Sequence, residues 1–270
     1  MCLTAEIEEA VISPGELGIF WLGQAGFLIK DHRDRTFVID PYLTDCGYRI
    51  RGFKRVSPML IRPEDFKPDY YLTTHLHFDH FDYDAIPIVA ERSNARFFGP
   101  SSCTHQMHEM GIAPERCVTM ELEVPYEIDP EFRITAVKAD HGDMAPDAIG
   151  VILEAGGWCL YFSGDTALHT DWCEKIARTY HPDIAFLSIN GAFGNMNAEE
   201  GAQAADLLGV QQAVPCHFWT FTEHGGNPQQ FKDLLAQHPV CRPCCMRQGE
   251  MLVLKPACAE FASTMRRSVG

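Results

Sequence analysis

The sequence predicts an α/β (α+β) fold arranged as an αβ/βα sandwich. Three observations predict it: short apolar runs bounded by turn residues, helical stretches interleaved with them in two successive rounds, and no linker or low-complexity segment between the rounds. With 270 residues, 46% of them hydrophobic, the chain can fill a sizeable core. The unbroken order favours one unit over 1–270, built from two αβ halves at approximately 1–130 and 131–270.

The elements follow in order. Runs 18–21, 26–30 and 35–39, separated by Gly23 and the polar cluster 31–34, predict an antiparallel meander. Asp40-Pro41 closes the third run, and the stretch 42–68, rich in Gly, Pro and charge, predicts a long irregular excursion. A buried strand at 69–74 leads into a helix at 83–92, a short strand at 96–98 and a helix at 102–110. Strands at 117–123 and 133–139 come next, then a hairpin of 149–154 and 158–163 turning at Ala155-Gly156-Gly157. Helices at 171–179, 198–208 and 228–237 alternate with strands at 184–188, 213–216 and 251–254.

Charge narrows the function. The chain has 22 Lys and Arg against 37 Asp and Glu, a net −15. That balance opposes binding to nucleic-acid phosphates or an anionic membrane, so neither is expected as a partner. No segment reaches the roughly 18 to 20 apolar residues of a membrane-spanning helix, and the start, MCLTAEIEEAV, carries acids where an export signal carries Lys or Arg. A cytoplasmic location is expected, where the 11 cysteines would be reduced thiols rather than a disulfide framework.

The chemistry concentrates at the end of the strand 69–74, in His75-Leu76-His77-Phe78-Asp79-His80. Three imidazoles and a carboxylate within six residues suit zinc, manganese or iron. If His75 and His77 leave the strand on one side, they can bind one ion while Asp79 and His80 turn toward a second. Further donors stand at later strand ends: His141 after 133–139, Asp165 in Ser163-Gly164-Asp165, where its carboxylate can bridge two cations, and His217 after 213–216. Taken singly, His141 and His217 would read as ordinary core or surface histidines, and Asp165 as a turn residue.

HLHFDH resembles the H-x-H-x-D-H signature of the metallo-β-lactamase superfamily, and the later histidine, aspartate and histidine arrive in that superfamily's order. Within it the chain is similar to the L-ascorbate-6-phosphate lactonase group from about residue 18 to 235. The similarity is carried by Phe20-Trp21-Leu22-Gly23-Gln24-Ala25-Gly26, Arg55-Val56-Ser57-Pro58, Thr74-His75, Phe98-Gly99-Pro100 and Ser163-Gly164-Asp165. The resemblance implies the four-layer αβ/βα sandwich of the metallo-β-lactamase fold. It further implies that His75, His77 and His141 bind one metal and Asp79, His80 and His217 another, with Asp165 bridging. The cofactors it implies are two divalent metal ions, Mn²⁺ or Zn²⁺.

Such a centre activates water and polarises a carbonyl. Hydrolysis of an ester-like bond is therefore expected, and the resemblance implies that the bond is a lactone, most specifically a phosphorylated sugar lactone such as L-ascorbate 6-phosphate, with Asp79 orienting the water or taking its proton. A small, anionic substrate would need further contacts, for which Lys54, Arg55 and Asn195 are the candidates, beside Asn190 and Asn197 in the same Gly-rich stretch. Hydrolysis of a small phosphate diester is the alternative, and a non-hydrolytic metal-binding module a weaker one. Oligomeric state, a homo-oligomer included, is left open. His105 and His108 read as helix surface, since nothing completes a site for them, and Cys241, Cys244 and Cys245 as ordinary thiols, with only His238 nearby as a further donor. His169 and His224 closely follow Asp165 and His217, which would let either support a ligand or touch substrate, but a loop-surface role is the leading reading.

Overall fold

A computed structural model describes residues 3–256. Helix α1 (Leu3–Glu9) precedes the antiparallel meander β1 (Leu17–Gly23), β2 (Gly26–Lys30) and β3 (Thr36–Ile39). After α2 (Cys46–Arg51), three strands add in parallel: β4 (Tyr70–Leu72), β5 (Arg96–Gly99) and β6 (Cys117–Thr119), with α3 (Ala85–Arg92) and α4 (Ser101–Glu109) as crossovers. A parallel pair requires such a crossover, because two residues of hairpin cannot carry the chain back to the same end of the sheet.

The plan then repeats. Strands β7 (Pro125–Asp129), β8 (Phe132–Lys138), β9 (Ile149–Ala155) and β10 (Trp158–Phe162) are antiparallel. Helix α5 (Thr170–Tyr180), β11 (Ile184–Ser188), α6 (Ala198–Leu208), β12 (Gln212–Cys216), α7 (Pro228–Leu235) and β13 (Arg242–Pro243) extend that sheet in parallel. Finally β14 (Met251–Leu254) returns to the first sheet and pairs antiparallel with β1. The two seven-stranded sheets are ordered β14-β1-β2-β3-β4-β5-β6 and β13-β12-β11-β10-β9-β8-β7.

Strand periodicity sorts the apolar residues into layers. Phe27, Ile29, Phe37 and Ile39 point between the sheets, whereas Leu28 and Val38 point outward into a second core with Ile86, Val89 and Met107 of α3 and α4. At the centre Phe27, Phe162 and Phe186 interlock, with centroids 4.6 Å apart for Phe27 and Phe186 and 4.4 Å for Phe162 and Phe186. On the far side Ile176, Ala205 and Phe231 of α5, α6 and α7 close the fourth layer. The expected sandwich is therefore present, and both faces of each sheet are covered, so β1 is buried along its whole length and shows no polar alternation. The hairpin at Gly156 and Gly157 takes φ of 56° and 86°, left-handed values that a tight two-residue turn requires.

Several details differ from expectation. The excursion 42–68 contains α2, ended by Gly52 at φ 78°. Helix α1 buries only Leu3 and Ile7, too little to give a clear apolar stripe. The expected strand 117–123 shortens to β6, and β7 escapes notice because it is an edge strand, half exposed and started by Pro125. The second sheet thus begins before residue 130, and β14 crosses back, so the halves do not divide cleanly there. Among the described residues no helix is long and apolar enough to cross a membrane.

Phe27 fills the seam between the sheets with its side chain wholly buried. Phe27→Ala is expected to lower the unfolding free energy by about 3–5 kcal/mol. Val11→Ala, at an exposed position, should stay within about 0.5 kcal/mol of wild type. Urea denaturation of both variants checks this.

Candidate metal centre

All the expected donors lie just beyond the carboxyl ends of strands: His75 after β4, His141 after β8, Asp165 after β10 and His217 after β12. Beyond His75 the backbone makes one helical turn, in which the N–H groups of His80 and Phe81 both donate to the carbonyl of His77, at 2.9 and 2.7 Å. That turn brings His80 back against His75, with ring centroids 4.1 Å apart, and sets Asp79 beside His217 at 3.1 Å. Asp82 anchors it by accepting from the backbone N–H groups of Leu43, Thr44 and Ala85 at 2.9, 2.8 and 3.0 Å.

Asp40, at the end of β3, sets the orientation of the histidines. It accepts from the backbone N–H of Thr74 at 2.7 Å and from the Thr74 hydroxyl at 2.6 Å, and lies 2.7 Å from Nδ1 of His80. A carboxylate there holds a proton on Nδ1, which leaves Nε2 as the nitrogen directed inward, the one that would ligate a cation. That Nε2 is 3.0 Å from Nε2 of His217 and 3.2 Å from Oδ1 of Asp165. On the other side Nδ1 of His77 lies 3.0 Å from Nε2 of His141.

Three donor groups result, each with ligand atoms within 4.8 Å of one another: His75, His77, His141 and Asp165; His80, Asp165 and His217; Asp79, His217 and His224. Asp165 belongs to two of them. The turn at Ser163-Gly164 permits this, because a side chain on Gly164 would meet the Ile149 carbonyl at 2.7 Å. Asp40, Gln24 and His217 also hold left-handed backbone, at φ 46°, 53° and 62°. Such strain, on the order of 1–2 kcal/mol per residue, persists only where the surroundings over-determine the conformation.

The residues fit divalent cations. Nε2 of His75 is buried with no hydrogen-bond partner among the described residues. The ion-pair partners of the buried carboxylates Asp40, Asp79 and Asp165 are histidines, with no Lys or Arg among them. Burial holds His75 and His77 below the ordinary histidine range and lowers His141 to about 4, keeping these imidazoles in the neutral form that ligates. Burial likewise opposes a charge on His80, but Asp165, Asp40 and Asp79 outweigh it and raise His80. For Asp79 and Asp165 burial favours the neutral acid, yet the histidines around them hold both below the usual carboxylate range. The cluster is thus rich in negative charge, which a cation would neutralise. Imidazole and carboxylate together suit zinc and manganese alike.

The structure brings His75, His77, Asp79, His80, His141, Asp165 and His217 together, and does not bring Lys54, Arg55 and Asn195 to the substrate side. Arg55 is buried in its own loop, where its guanidinium donates to the carbonyls of Tyr42, Thr44, Ser57 and Pro58 and lies over the Tyr42 ring. Its charge is spent on backbone that α2 and the irregular loop leave unpaired. Lys54 is exposed and does not line the cavity. Asn195 donates from Nδ2 to Oδ2 of Asp165 at 2.7 Å, so it positions a donor instead of facing a substrate.

Two residues of the site went unassigned in the sequence. Gln24 donates from Nε2 to Oδ2 of Asp79 at 2.6 Å and lies 3.0 and 3.1 Å from His217 and His224. His224, read as loop surface, is buried and stacks on His217 with centroids 4.8 Å apart. Only its spacing from His217 and the two glycines after it signalled this. His169 pairs with Asp140 outside the cluster, and His105 and His108 lie exposed on α4. The described cysteines are free thiols; Cys2 and Cys258 lie outside the described residues.

Above the donors opens a cavity of about 770 Å³. His77, Asp79, His141, Asp165, His217 and His224 form its floor, Ile50, Phe53, Leu76, Phe78, Met144 and Phe193 its walls, and Arg49 and Arg51 of α2 its rim. Arg49 is paired with Asp84.

The profile of a beta-lactamase superfamily domain matches residues 35–218. A UPF0173 metal-dependent hydrolase of Cupriavidus necator is 30% identical over 242 residues, covering 82% of this chain and 80% of the relative. One from Caldivirga maquilingensis is 29% identical over 238 residues, covering 87% and 96%. Among solved structures, Igni18, a metallo hydrolase from Ignicoccus hospitalis, is similar with a TM-score of 0.75 at 24% identity, covering 90% of this chain and 100% of that one, which bears on the fold.

Removing the carboxylate behind His80 should weaken metal binding without touching a donor. Asp40→Ala is expected to lower affinity for Zn²⁺ or Mn²⁺ by about 10- to 100-fold, and Lys54→Ala to leave it unchanged. Competition with a chromogenic chelator measures both.

Proposed function

The chain belongs to the beta-lactamase superfamily and, within it, to the UPF0173 metal-dependent hydrolases, and on that premise we propose that it opens a lactone of a small, anionic molecule. It is a metal-dependent hydrolase; the lactone is our reading of its cavity. The observation that carries it is the division of labour there. The floor offers donors for metal and neutral imidazoles, the walls are apolar, and the cationic groups stand at the rim, Arg51 and the Asp84-paired Arg49. Transfer at a charged phosphorus is commonly served by cationic side chains at the reacting group itself. A neutral carbonyl at the floor with an anionic substituent reaching the rim suits this arrangement better, and a phosphorylated sugar lactone such as L-ascorbate 6-phosphate has that form.

Two divalent ions, Mn²⁺ or Zn²⁺, held by the donor groups would supply Lewis acidity and a water of lowered pKa. The chain's own residues do the rest. Asp79, held at Oδ2 by Gln24, orients the attacking water and takes its proton. His224, lowered to about 4 by burial and by the neighbouring His217, is a neutral imidazole at the floor that can donate to or accept from substrate. Phe53, Phe78 and Phe193 keep bulk water from the reacting bond.

Parallel assays of ascorbate 6-phosphate and bis-para-nitrophenyl phosphate, each with Mn²⁺ and with Zn²⁺, test the reading. Turnover of the lactone is expected, abolished by a chelator and lowered about 10²- to 10⁴-fold in Asp79→Asn. Turnover of the diester alone would sink the lactonase reading.

A further inference from the structure

One side chain in the cavity has no role in holding the donors. Asn190 stands two residues beyond β11 and is among the residues that line the cavity, as are Phe193 and His217. Its side chain is 2% exposed, yet neither Nδ2 nor Oδ1 has a hydrogen-bond partner among the described residues. Buried polar groups are as a rule paired, and an amide with both atoms unmet is an exception that asks for a partner. Asn195, five residues on, has its Nδ2 engaged by Asp165 and only its Oδ1 unmet, whereas Asn190 has neither atom engaged.

The surroundings hold Asn190 in place. The loop bearing His217 and His224 lies directly on its backbone: a side chain on Gly225 would meet the Asn190 carbonyl at 2.8 Å, and one on Gly226 its Cα at 3.4 Å. Phe218 and Ile189 crowd the same glycine. Asn190, with its amide unmet, thus lines the same cavity as Asp165, His217 and Phe193, the last with its ring 5.7 Å from His224.

A primary amide presents an acceptor and a donor side by side, and a hydroxyl group can meet both, giving its proton to Oδ1 or receiving one from Nδ2. We propose that Asn190 is a specificity-determining residue that binds a hydroxyl neighbouring the scissile carbonyl, so that the substrate class is an α-hydroxy lactone or ester. The assignment rests on the reading of the site as one that hydrolyses a carboxylic ester. A site built to hydrogen-bond a hydroxyl rejects the analogue that lacks it, because its own polar atoms are then left unpaired in a dry wall.

The test uses the metal-loaded full chain and two pairs of compounds. α-Hydroxy-γ-butyrolactone is compared with γ-butyrolactone for kcat/KM, and the ring-opened 2,4-dihydroxybutyrate with 4-hydroxybutyrate for Kd by calorimetry. Wild type is expected to favour the hydroxylated member by about tenfold or more in both. Asn190→Leu, near in volume and without polar atoms, should lose that preference while melting no lower than wild type, since it removes an unpaired group. Asn190→Ala serves the same purpose if the leucine variant does not fold. Equal affinities in wild type would overturn the assignment, and so would a preference retained in the variants, which would place it on the metals. Binding that discriminates without turnover of either lactone contradicts the lactonase reading and leaves Asn190 in its role.

Discussion

Two carboxylates buried beside each other, Asp79 and Asp165, with a third, Asp40, on the far side of His80 and histidines as the ion-pair partners of all three, are the constraint on which the site depends. In a dry interior Asp79 and Asp165 repel, and the cost of desolvating their charge is offset by positive charge at the centre. The chain answers with geometry rather than with lysine or arginine. Each histidine is turned so that a ring nitrogen faces the centre, and His80 does so because Asp40 holds its other nitrogen. A divalent ion completes the balance. The left-handed backbone at Asp40, Gln24 and His217 is tolerated because these contacts leave those residues no other conformation.

The sandwich makes the convergence possible. His75, Asp165 and His217 leave strands from both sheets at the same edge of the molecule, and the interlocked phenylalanines between the sheets fix how far apart those edges lie. Interiors packed to crystal-like density transmit little slack, so donors that come from distant parts of the sequence can meet to within a few tenths of an ångström. Crossover helices of the parallel strands lie on the outer faces, leaving the edge free for loops that carry the chemistry.

Much of this was readable in the sequence, for identifiable reasons. The run from His75 to His80 is dense enough to declare itself, and His141, Asp165 and His217 could be found because each directly follows a recognisable strand. Gln24 could not, since a lone glutamine in a turn gains meaning only from neighbours 193 and 200 residues distant in sequence, and His224 was signalled by no more than its nearness to His217. Charge misled at Arg55. A cation beside the expected site suggests an anionic ligand, but buried loop carbonyls need donors as much as a substrate does. The arginines that do reach the cavity, Arg49 and Arg51, belong to a helix hidden in a stretch whose Gly, Pro and charge pointed to irregular chain.

The cavity ties these parts together, with metal donors, aromatic side chains and Asn190, whose amide is unpaired among the described residues, in its lining. Everything proposed for it requires that the donor groups hold metal. The most direct measurement is elemental analysis of the purified protein by inductively coupled plasma mass spectrometry after exhaustive dialysis. Because Asp165 is shared by two donor groups, the account predicts more than one equivalent of transition metal per chain, with His75→Ala retaining less. A wild-type protein that holds under one equivalent, and no more than the His75→Ala variant, would contradict it.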